Sequence, residues 1–399
     1  MASSISLVVM QSHLPESIRY VGVDDFDLDL FESQFALPHG ISYNSYLILD
    51  QRTALLDTVD WRQGDRWLVA LKQTLGARRL DYLILHHLEP DHSGCVAALS
   101  VHYPDLEIVV SEKALRMLPA LFPMVDFGDR IRVVKENEQL VLGRSSLRFL
   151  MAPMVHWPEV MVSVLQPERV LFSADAFGTF GARSHIQPWI DEARRYYFNI
   201  CGKYGVQVQA LLRKTASLPI DIICPLHGPE LTAPLDRYWE LYACWSRYEA
   251  ESAGVMLAHA SIYGATTAAV QFLAERLRAL AIEPITVVDL CHDTLSSALA
   301  EAFRMRTTVL ASSSYDGTLF PPMQDFLYRL TTKGFRERRV ALIENGLWAP
   351  AARRVMREQL QKMACIELLE PLITLRGRFT AMDRERLNAL AEVVASGCI

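Results

Sequence analysis

The sequence predicts an α/β protein made of two domains, and three observations support this class. Apolar runs typical of buried strands alternate with stretches of helical periodicity along most of the chain. After residue 250 this alternation becomes regular, with one helix following each strand. At 399 residues, 51% hydrophobic and 22% charged, the chain is long enough for two globular domains with substantial cores. We therefore predict one domain over residues 1–250 and a second over residues 251–399.

The first domain is predicted to open with a strand at 41–49 and to continue with a buried strand at 80–85. Periodicity assigns this half of the chain to the α/β class and no further. Further strand-like runs lie at 107–111, 130–135, 147–152, 159–165 and 169–173. Helical patterns lie at 93–102, 111–122, 191–216 and 235–254, the last ending in a polar linker.

The second domain reads as five strands that alternate with five helices, which predicts a doubly wound, five-stranded parallel sheet. Such sheets bind ligands outside the carboxyl ends of their strands, so a site is expected in the loops that follow the strands. The predicted strands lie at 255–260, 286–290, 307–312, 338–343 and 365–373. The predicted helices lie at 266–281, 294–304, 322–333, 350–363 and 383–396.

Composition and charge exclude several classes of partner. The formal net charge of −6 and the lack of a basic run argue against a nucleic-acid partner. No apolar run approaches the roughly 20 residues that a membrane-spanning helix requires, so no membrane partner is expected. The N-terminal residues lack the basic leader and the long apolar core of a secretory signal. These observations predict a cytoplasmic protein.

The seven cysteines are scattered along the chain and form no C-x-x-C pair. Their odd number and irregular spacing predict reduced thiols rather than disulfides. Without paired cysteines, neither a rubredoxin-like iron site nor a cysteine-bound iron–sulfur cluster is expected. The cysteines lie at positions 95, 201, 224, 244, 291, 365 and 398.

Residues that can bind metal recur where strand-like runs end. The motif H-L-E-P-D-H at 87–92 follows the run at 80–85, and three further candidates each follow a run downstream. Side chains that follow strands at one sheet edge face one cavity, and seven candidates suit two metal ions with a shared bridge better than one tetrahedral zinc. The candidates are His87, Glu89, Asp91, His92, His156, Asp175 and His227.

This pattern resembles the metallo-β-lactamase-like domain of flavodiiron proteins, whose signature is H-x-E-x-D-H followed by His, Asp and His. The commoner hydrolase version of the motif is H-x-H-x-D-H and usually holds zinc. The carboxylate of Glu89 at the second position favours a harder, iron-like ion. By resemblance, the first domain is an αββα sandwich and the chain is a flavodiiron protein of the minimal two-domain class.

The resemblance also implies a role for each candidate ligand of a diiron centre. Asp175 is expected to bridge the two Fe ions, and no catalytic side chain beyond the ligands is assigned. The terminal ligands are expected to be, for one iron, His87, Glu89 and His156, and for the other, Asp91, His92 and His227.

A candidate phosphate loop lies where the first strand of the second domain meets its first helix. It combines two hydroxyls, a glycine and a helix N-terminus. The loop lacks G-x-G-x-x-G and G-K-[ST], so it matches neither a dinucleotide site nor a nucleoside-triphosphate site. Neutral donors suit a monophosphate, and the loop resembles the FMN phosphate loop of flavodoxins; a Ser/Thr-rich turn that only caps the helix is the alternative. Its residues are Ser261, Ile262, Tyr263, Gly264, Ala265 and Thr266.

Two later loops are expected to flank the flavin ring. Tyr315 and Trp348 are predicted to stack on its faces or shield them, and Gly346 lets the backbone approach closely. Asp316 and Glu344 depart from the family pattern and are expected to place negative charge near the flavin. The predicted FMN contacts in these loops are Ser313, Ser314, Tyr315, Asp316, Gly317, Asn345, Gly346, Leu347 and Trp348.

A pair of irons and a flavin on one chain indicate a reductase of a small gas. The resemblance implies four-electron reduction of O2 to water, two-electron reduction of two NO to N2O and water, or both. It also implies a head-to-tail homodimer, alone or as a dimer of dimers, with the FMN of one subunit beside the irons of the other. The electron donor is expected to be external, such as rubredoxin or a reductase.

Two other functions are compatible with parts of the sequence. The first is a metal-dependent hydrolase of the metallo-β-lactamase fold, against which Glu89 and the flavodoxin-like half of the chain count. The second is an FMN electron carrier with a vestigial metal site, against which the complete set of ligands counts. A colourless zinc protein would favour the hydrolase, and a protein that exchanges electrons without consuming gas would favour the carrier.

Two further features adjoin the metal motif. The segment 24–39 is expected either to approach the metal pocket or to form an acidic surface loop. Many family members carry a His and an aromatic residue there, whereas this chain has Asp-Leu-Asp-Leu-Phe at 27–31. His86 precedes the first ligand, but strand alternation points it away from His87, so it is not expected to bind metal.

Overall fold

The computed structural model describes residues 14–185 and 188–398. Segment 1–13, for which no secretory signal is predicted, lies outside the described residues. The chain divides into two compact units: residues up to Tyr196 together with Gln207–Glu240, and Tyr197–Val206 together with the residues from Leu241 onwards. In the part of the chain that the structure describes, no helix has both the length and the apolar character that a bilayer crossing requires.

The first unit is built on two six-stranded sheets. One sheet consists, in spatial order, of β1 (Ile18–Tyr20), β6 (Tyr46–Leu49), β7 (Thr53–Leu56), β8 (Tyr82–Ile84), β9 (Glu107–Ser111) and β10 (Ile131–Val134). The other consists of β11 (Gln139–Val141), β12 (Ser146–Met151), β13 (Met161–Gln166), β14 (Val170–Phe172), β15 (Ile222–Cys224) and β16 (Leu231–Thr232). Two short ribbons pair β2 (Val23–Asp25) with β5 (Ile41–Tyr43) and β3 (Leu30–Phe31) with β4 (Phe35–Ala36).

The two sheets share one apolar core. Ile48 and Val109 from the first sheet and Phe149 and Phe172 from the second are buried in the same cluster. Sheets that bury one face each against the other form a sandwich. The two-sheet sandwich expected from the resemblance is therefore present in this unit.

Within the described residues 14–185 and 188–398, seven α-helices precede the sheet of the second unit. In α1 the side chains of Trp67, Leu71 and Leu75 are buried, and their spacing of four residues gives the helix one apolar face. The helix α4 is capped by the hydroxyl of Ser111, which accepts the N–H of Ala114. The helices are α1 (Gly64–Leu75), α2 (Pro90–Ser93), α3 (Val96–His102), α4 (Glu112–Leu121), α5 (Trp189–Ile200), α6 (Gly205–Thr215) and α7 (Asp236–Ser246).

The second unit contains the predicted parallel sheet, whose five strands pair only in the parallel sense with one another. Their order along the sheet, second-first-third-fourth-fifth, is that of flavodoxin-like folds, which confirms the doubly wound prediction. In spatial order the strands are β18 (Ile285–Asp289), β17 (Ser252–Ala260), β19 (Met305–Tyr315), β21 (Arg338–Asn345) and β22 (Ile366–Leu375), and a short β20 (Thr318–Leu319) pairs back on β19. The helices are α8 (Ala265–Ala279), α9 (Leu295–Arg304), α10 (Pro321–Thr332), α11 (Ala352–Leu360) and α12 (Ala381–Ala395).

The strand order reverses between β17 and β19: β18 lies on one side of β17, and the later strands lie on the other. Doubly wound sheets bind their ligands in the crevice outside the carboxyl ends of the strands at this switch point. The loops after residues 260, 315 and 345 all lie at this edge, because the strands that precede them are parallel neighbours. The sheet thus brings together the three segments in which FMN contacts are predicted.

The predicted strand at 41–49 is wrong in one respect, since the structure divides it into β5 and β6. Asn44 and Ser45 separate the two strands, and their side chains bond to other segments rather than extending a ladder. Short polar side chains that bond to backbone groups compete with regular strand pairing. The interruption matters for the site, because Asn44 contacts the loop that carries His227.

Candidate metal centre and flavin cleft

The metal motif occupies a strand–loop–helix transition after β8. The strand lies between the parallel strands β7 and β9, so the chain leaves it at the carboxyl edge of the sheet. Glu89 is the N-terminal flanking residue of α2, yet its side chain makes no capping bond, which leaves its carboxylate directed elsewhere. Pro90 at the first helical position fixes the turn, and the following Asp91 and His92 are buried.

All seven predicted ligands come together in two groups, whose candidate donor atoms lie within 4.8 Å of one another in each group. In the first group, His156 Nε2 is 3.0 Å from an oxygen of Glu89 and 3.0 Å from an oxygen of Asp175. His87 Nε2 is 3.2 Å from Glu89. The first group is His87, Glu89, His156 and Asp175, and the second is Asp91, His92 and His227.

Asp175 faces both groups with different oxygens. Its Oδ2 lies toward the first group, and its Oδ1 is 3.2 Å from His92 Nε2 and 3.9 Å from His227 Nε2. Asp91 Oδ2 is 3.3 Å from the same nitrogen atoms of His92 and His227. A carboxylate that presents one oxygen to each of two donor groups has the arrangement expected of a bridging ligand.

The donor atoms of this cluster lack hydrogen-bond partners although they are buried. This applies to both carboxylate oxygens of Asp91 and of Asp175, and to Nε2 of His92 and of His227. Buried polar and charged groups without partners are costly unless they bind an ion. Imidazole and carboxylate donors in two adjoining sets therefore fit two divalent cations of intermediate hardness, iron included.

The acids and bases of the cluster shift one another's protonation. Burial lowers the pKa of His156, but the carboxylates of Asp175 and Glu89 beside it outweigh burial and raise the pKa to about 9. Burial raises the pKa of Glu89, but hydrogen bonds from His156 and His87 outweigh it and lower the pKa to about 2. Protons on these histidines compete with metal ions, so metal binding is expected to release protons.

Glu159 supports the first group from behind. Its Oε1 lies 2.8 Å from His87 Nδ1 and accepts the N–H of Leu88 at 3.0 Å. A carboxylate on the far nitrogen of a metal-binding histidine fixes the tautomer and the ring orientation and raises the basicity of the ligand. The arrangement leaves His87 Nε2 directed into the cluster.

Asp57 holds the backbone of the double histidine. One of its oxygens accepts the N–H of His86 at 2.7 Å, and the other lies 2.6 Å from His86 Nδ1. His86 Nε2 is 2.8 Å from the hydroxyl oxygen of Ser163. Both ring nitrogens of His86 are thus engaged away from the cluster, in agreement with the expectation that His86 is not a ligand.

The loop that carries His227 is fixed by the turn between β5 and β6. His227 Nδ1 donates to the carbonyl oxygen of Ser42 at 2.7 Å, which leaves Nε2 for a metal. The amide of Asn44 donates to the carbonyl oxygens of Pro225 and Gly228 at 2.8 and 2.7 Å. Two segments far apart in sequence therefore position one candidate ligand.

A cleft of about 270 Å³ opens beside Glu89 and Asp91, and segment 24–39 forms one of its walls. Phe31 from this segment is buried and meets the ring of His227 edge-on, with ring centroids 5.4 Å apart. Asp27, by contrast, is exposed. The segment therefore approaches the metal cluster, and the alternative of a purely acidic surface loop is wrong.

A second cleft, of about 560 Å³, lies at the carboxyl edge of the parallel sheet. This volume is within the range of sites for small-molecule cofactors. Thirteen of the fifteen predicted FMN contacts line the cleft; Gly264 and Thr266 do not. The lining residues are Ser261, Ile262, Tyr263, Ala265, Ser313, Ser314, Tyr315, Asp316, Gly317, Asn345, Gly346, Leu347, Trp348, Ala349, Gly377 and Arg378.

The candidate phosphate loop is organised by its glycine. Gly264 has a φ of +82°, a conformation that other residues rarely adopt, and it flanks the N-terminus of the fifteen-residue helix α8. The N–H of Gly264 donates to Ser261 Oγ at 3.1 Å. Because no side chain caps α8, its first N–H groups remain for an anion. The buried hydroxyl of Thr266 instead lies 3.3 Å from Ser313 Oγ.

The structure corrects the expected position of Glu344. This side chain is buried outside the flavin cleft, where it accepts hydrogen bonds from Thr374 Oγ1 at 2.8 Å and from the N–H of Arg353 at 3.0 Å. The guanidinium of Arg353 lies 3.4 Å from the same carboxylate. The expectation that Glu344 places negative charge near the flavin is therefore wrong, whereas Asp316 does line the cleft.

Comparisons with known proteins give matches that extend over most of this chain. A family model described as "ODP family beta lactamase" matches residues 41–228. A nitric oxide reductase from Moorella thermoacetica is 28% identical over 396 residues, which cover 96% of this chain and 98% of that protein. The structure of rubredoxin oxygen:oxidoreductase from Desulfovibrio gigas matches with a TM-score of 0.90 and 24% identity, covering 97% of this chain and 98% of that chain. A flavodiiron protein structure from Giardia intestinalis matches with a TM-score of 0.89 and 20% identity, covering 98% of each chain.

Over nearly its whole length, this chain is similar to flavodiiron proteins and their relatives.

Several residues at these two sites carry little signal in the sequence. Glu159 lies three residues after His156, and a carboxylate near a ligand is the one hint that spacing offers. Gly377 and Arg378 line the flavin cleft from the loop after β22, and the side-chain amide of Asn345 bonds to both backbone groups of Gly377, at 2.9 and 3.0 Å. Only the tertiary structure brings this loop to the cleft.

Proposed function

We propose that this protein reduces O2 to water, NO to N2O, or both, at a diiron centre in residues 1–250 that receives electrons from FMN bound by residues 251–399. The main support is the convergence of seven donor groups, most of them buried and one of them the carboxylate of Glu89, on two adjoining positions. The names of the relatives point the same way, since one is a nitric oxide reductase and another a rubredoxin oxygen:oxidoreductase. The enzyme class is accordingly an oxidoreductase.

In the proposed reaction the cofactors supply the electrons, and residues of the chain hold the metal ions and line the cavity for the gas. When bound, the irons and FMN supply the redox chemistry, two electrons from each, which the protein itself cannot provide. The O2 reaction takes up four electrons and four protons and yields two waters; the NO reaction takes up two electrons and two protons for two NO and yields N2O and water. Asp175 would keep the two irons together, and the apolar ring of Phe31 would keep water from one side of the cavity.

FMN is proposed to bind with its phosphate at the N-terminus of α8 and its ring between the two later loops. The uncapped N–H groups of α8 and the Ser261 loop offer neutral donors to the phosphate. Tyr315 and Trp348 flank the cleft, and both are exposed enough to move onto a flat ring. The close backbone of Gly346 permits ring contact that a side chain would block.

A head-to-tail homodimer is proposed because both clefts are rimmed by exposed apolar side chains. At the flavin cleft, Tyr263 and Trp348 are 98% and 80% exposed. At the metal cleft, Leu30 is 44% exposed, and Trp61, between two lining residues, is 71% exposed. Apolar patches of this kind mark protein interfaces, and apposing them would bring one subunit's flavin to the other's irons.

Light scattering tests the dimer directly. Trp348→Glu should lower the solution mass from that of a dimer toward that of a monomer, whereas Tyr328→Glu, at a 63% exposed site away from the cleft, should not. A monomeric parent protein, or a dimer that survives Trp348→Glu unchanged, would contradict the proposed interface.

The electron donor is proposed to be an external protein or reductase in the cytoplasm. One relative's name pairs oxygen reduction with rubredoxin, which supports a donor of that kind. The free cysteines include the exposed Cys365, a thiol that suits a reducing compartment.

Steady-state gas consumption tests the proposed reaction. Iron- and FMN-loaded protein would be supplied with an excess of an artificial donor while O2 and NO electrodes record consumption side by side. Sustained consumption of either gas supports the proposal, and the faster rate identifies the preferred substrate. If neither gas is consumed with both cofactors verified, the proposal fails in favour of an electron carrier, or of a hydrolase if zinc-loaded protein cleaves ester substrates.

A further inference from the structure

The cleft beside the metal cluster has one wall of carboxylates and another that carries two hydrogen-bond donors, Tyr43 and Arg62. Glu89 and Asp91 line one side together with Pro90. Tyr43, Asp60 and Arg62 line another, and among the described residues that border the cleft Arg62 is the sole cation. Nothing in the proposed function assigns a task to this second wall.

Tyr43 is held rigidly at this position. It ends β5, where it pairs with Val23 of β2, and its side chain is buried. Its ring meets that of His227 edge-on, with centroids 6.1 Å apart. The phenol therefore reaches the cleft next to the second group of candidate ligands without freedom to turn away.

Arg62 determines which way the hydroxyl of Tyr43 can donate. Arg62 Nη2 donates to the Tyr43 oxygen at 3.3 Å, so the phenol acts as the acceptor in this contact. A guanidinium carries no acceptor, and the O–H hydrogen of Tyr43 must point elsewhere. The remaining direction is the cleft. A hydroxyl that accepts from a cation also becomes a stronger donor, because the two bonds polarise each other.

Asp60 fixes Arg62 in this role. Its carboxylate accepts from Arg62 Nε at 2.9 Å and from Nη2 at 2.8 Å, a bidentate pair that sets the plane of the guanidinium. Oδ1 of Asp60, which accepts from Nε, also accepts the backbone N–H of Arg62 at 2.9 Å. Asp60, Arg62 and Tyr43 thus form one chain of directed bonds that ends at the cleft.

We propose that Tyr43, oriented by Arg62 and Asp60, is a catalytic residue that donates a hydrogen bond to the oxygen- or nitrogen-bearing ligand in the metal cleft. The inference rests on the proposed function, because it needs a metal-bound ligand in this cleft. It adds a substrate-contacting donor that the metal ligands, all of them acceptors toward metal, cannot supply. A donor here favours ligands that gain negative charge as they are reduced.

Azide binding separates this inference from the gas chemistry. Iron-loaded, oxidised protein would be titrated with sodium azide and followed by its visible absorption, with iron content and melting temperature recorded for each variant. One hydrogen bond to an anion contributes on the order of 1.5 kcal/mol, so Tyr43→Phe should weaken azide binding about tenfold with iron unchanged. Arg62→Gln should weaken it as well, since Tyr43 loses its orientation.

Matched controls are available in the same unit. Tyr103→Phe removes a phenol elsewhere, and Arg66→Gln removes a nearby cation that bonds to Gln63 instead. Neither should change azide affinity. Parent protein that binds azide, with Tyr43→Phe binding equally well, would overturn the role of Tyr43 while leaving the proposed function intact. Parent protein that holds iron but does not bind azide would overturn the inference, whereas the proposed function fails only if that protein consumes neither gas.

Discussion

The metal cluster and the flavin cleft differ most in how much charge they bury. The metal cluster packs three carboxylates and four histidines together, and Asp175 and His92 leave donor atoms unbonded in its interior. The flavin cleft is lined mainly by neutral groups, and its aromatic side chains Trp348 and Tyr263 are exposed. Buried unpaired charge costs several kcal/mol per group, so the cluster depends on cations, whereas the cleft is a preformed surface for a flat ring.

The two sites are therefore specified by different features of the sequence. A metal site needs particular side chains, and their identities are written in the sequence. A flavin site of this type needs backbone shape and a helix N-terminus, which many sequences can supply. We expect substitutions in one site to leave the other cofactor bound, and the following predictions test that separation from the largest effect to the smallest.

Asp175→Asn should have the largest effect, because this carboxylate faces both groups of ligands. An amide removes the negative charge that the two cations share, so we expect loss of both irons and a fall in gas reduction of more than about 100-fold. FMN content should be unchanged. Iron and flavin analysis of the purified variant measures both, with Asp221→Asn, at a surface ion pair with Arg169, as the control. Normal iron in Asp175→Asn would contradict the bridging role.

Glu159→Gln should have a smaller effect on the same site. The amide can still contact His87 Nδ1 and Leu88, but it lacks the charge that raises the basicity of the histidine. Changes of this kind lower metal affinity by about 10- to 100-fold. A competition titration with a coloured chelator would measure the loss, and the paired surface residue Glu358 offers a control as Glu358→Gln. An affinity equal to that of the parent would mean that Glu159 only fills space.

Trp348→Ala tests the flavin side of the comparison. An aromatic contact contributes about 0.5–1.5 kcal/mol, so FMN should bind roughly 2- to 10-fold more weakly while iron content stays normal. Quenching of flavin fluorescence on binding gives the dissociation constant. Tyr328→Ala, an exposed aromatic residue outside the cleft in the same unit, should bind FMN as the parent does. Loss of iron in Trp348→Ala would break the proposed independence of the sites.

The pH dependence of stability should distinguish metal-depleted from iron-loaded protein. Without metal, the protonated His156 stabilises the fold because its pKa is higher in the folded than in the unfolded chain. This contribution is fully present at pH values below the unfolded pKa of 6.5, and it is lost as pH rises through about 9. The loss amounts to at most about 3 kcal/mol, which corresponds to a fall of several degrees in melting temperature. Glu89 affects stability at acid pH, because its pKa is lower in the folded chain. The stabilisation by its carboxylate is present above pH 4.5 and is lost as pH falls toward about 2.

Thermal melts of chelator-treated protein across this range measure the effect. Iron-loaded protein should lack the alkaline decline, because metal ions replace the protons on the histidines. The same decline in both forms would show that the titrating groups lie outside the cluster.

The sequence allowed the metal ligands to be predicted because each follows a buried strand, as His87 follows β8. The parallel sheet could also be predicted, because strand and helix patterns alternate regularly after residue 250. Local pattern carries such information because periodicity is a property of neighbours in the chain. The assigned roles of the ligands remain predictions that the variants above test.

Tertiary contacts account for what the sequence could not provide. The first predicted strand is divided at Asn44, because the side-chain amide of Asn44 bonds to the loop that carries His227 rather than extending the strand. That loop lies far away in the chain. Glu344 lies at the end of β21 beside the cleft residue Asn345, but its carboxylate pairs with Arg353 outside the cleft. Such side-chain directions depend on partners that no local pattern reveals.

Electron counting on one chain tests the central claim most directly. Protein loaded with iron and FMN would be reduced anaerobically, freed of excess reductant and mixed with known amounts of O2 while the oxygen consumed and any peroxide are measured. Two electrons held by the irons and two by FMN predict that each chain consumes one O2 and releases no peroxide. Consumption that stops at two electrons per chain, or that yields peroxide, would contradict a joint function of the two sites.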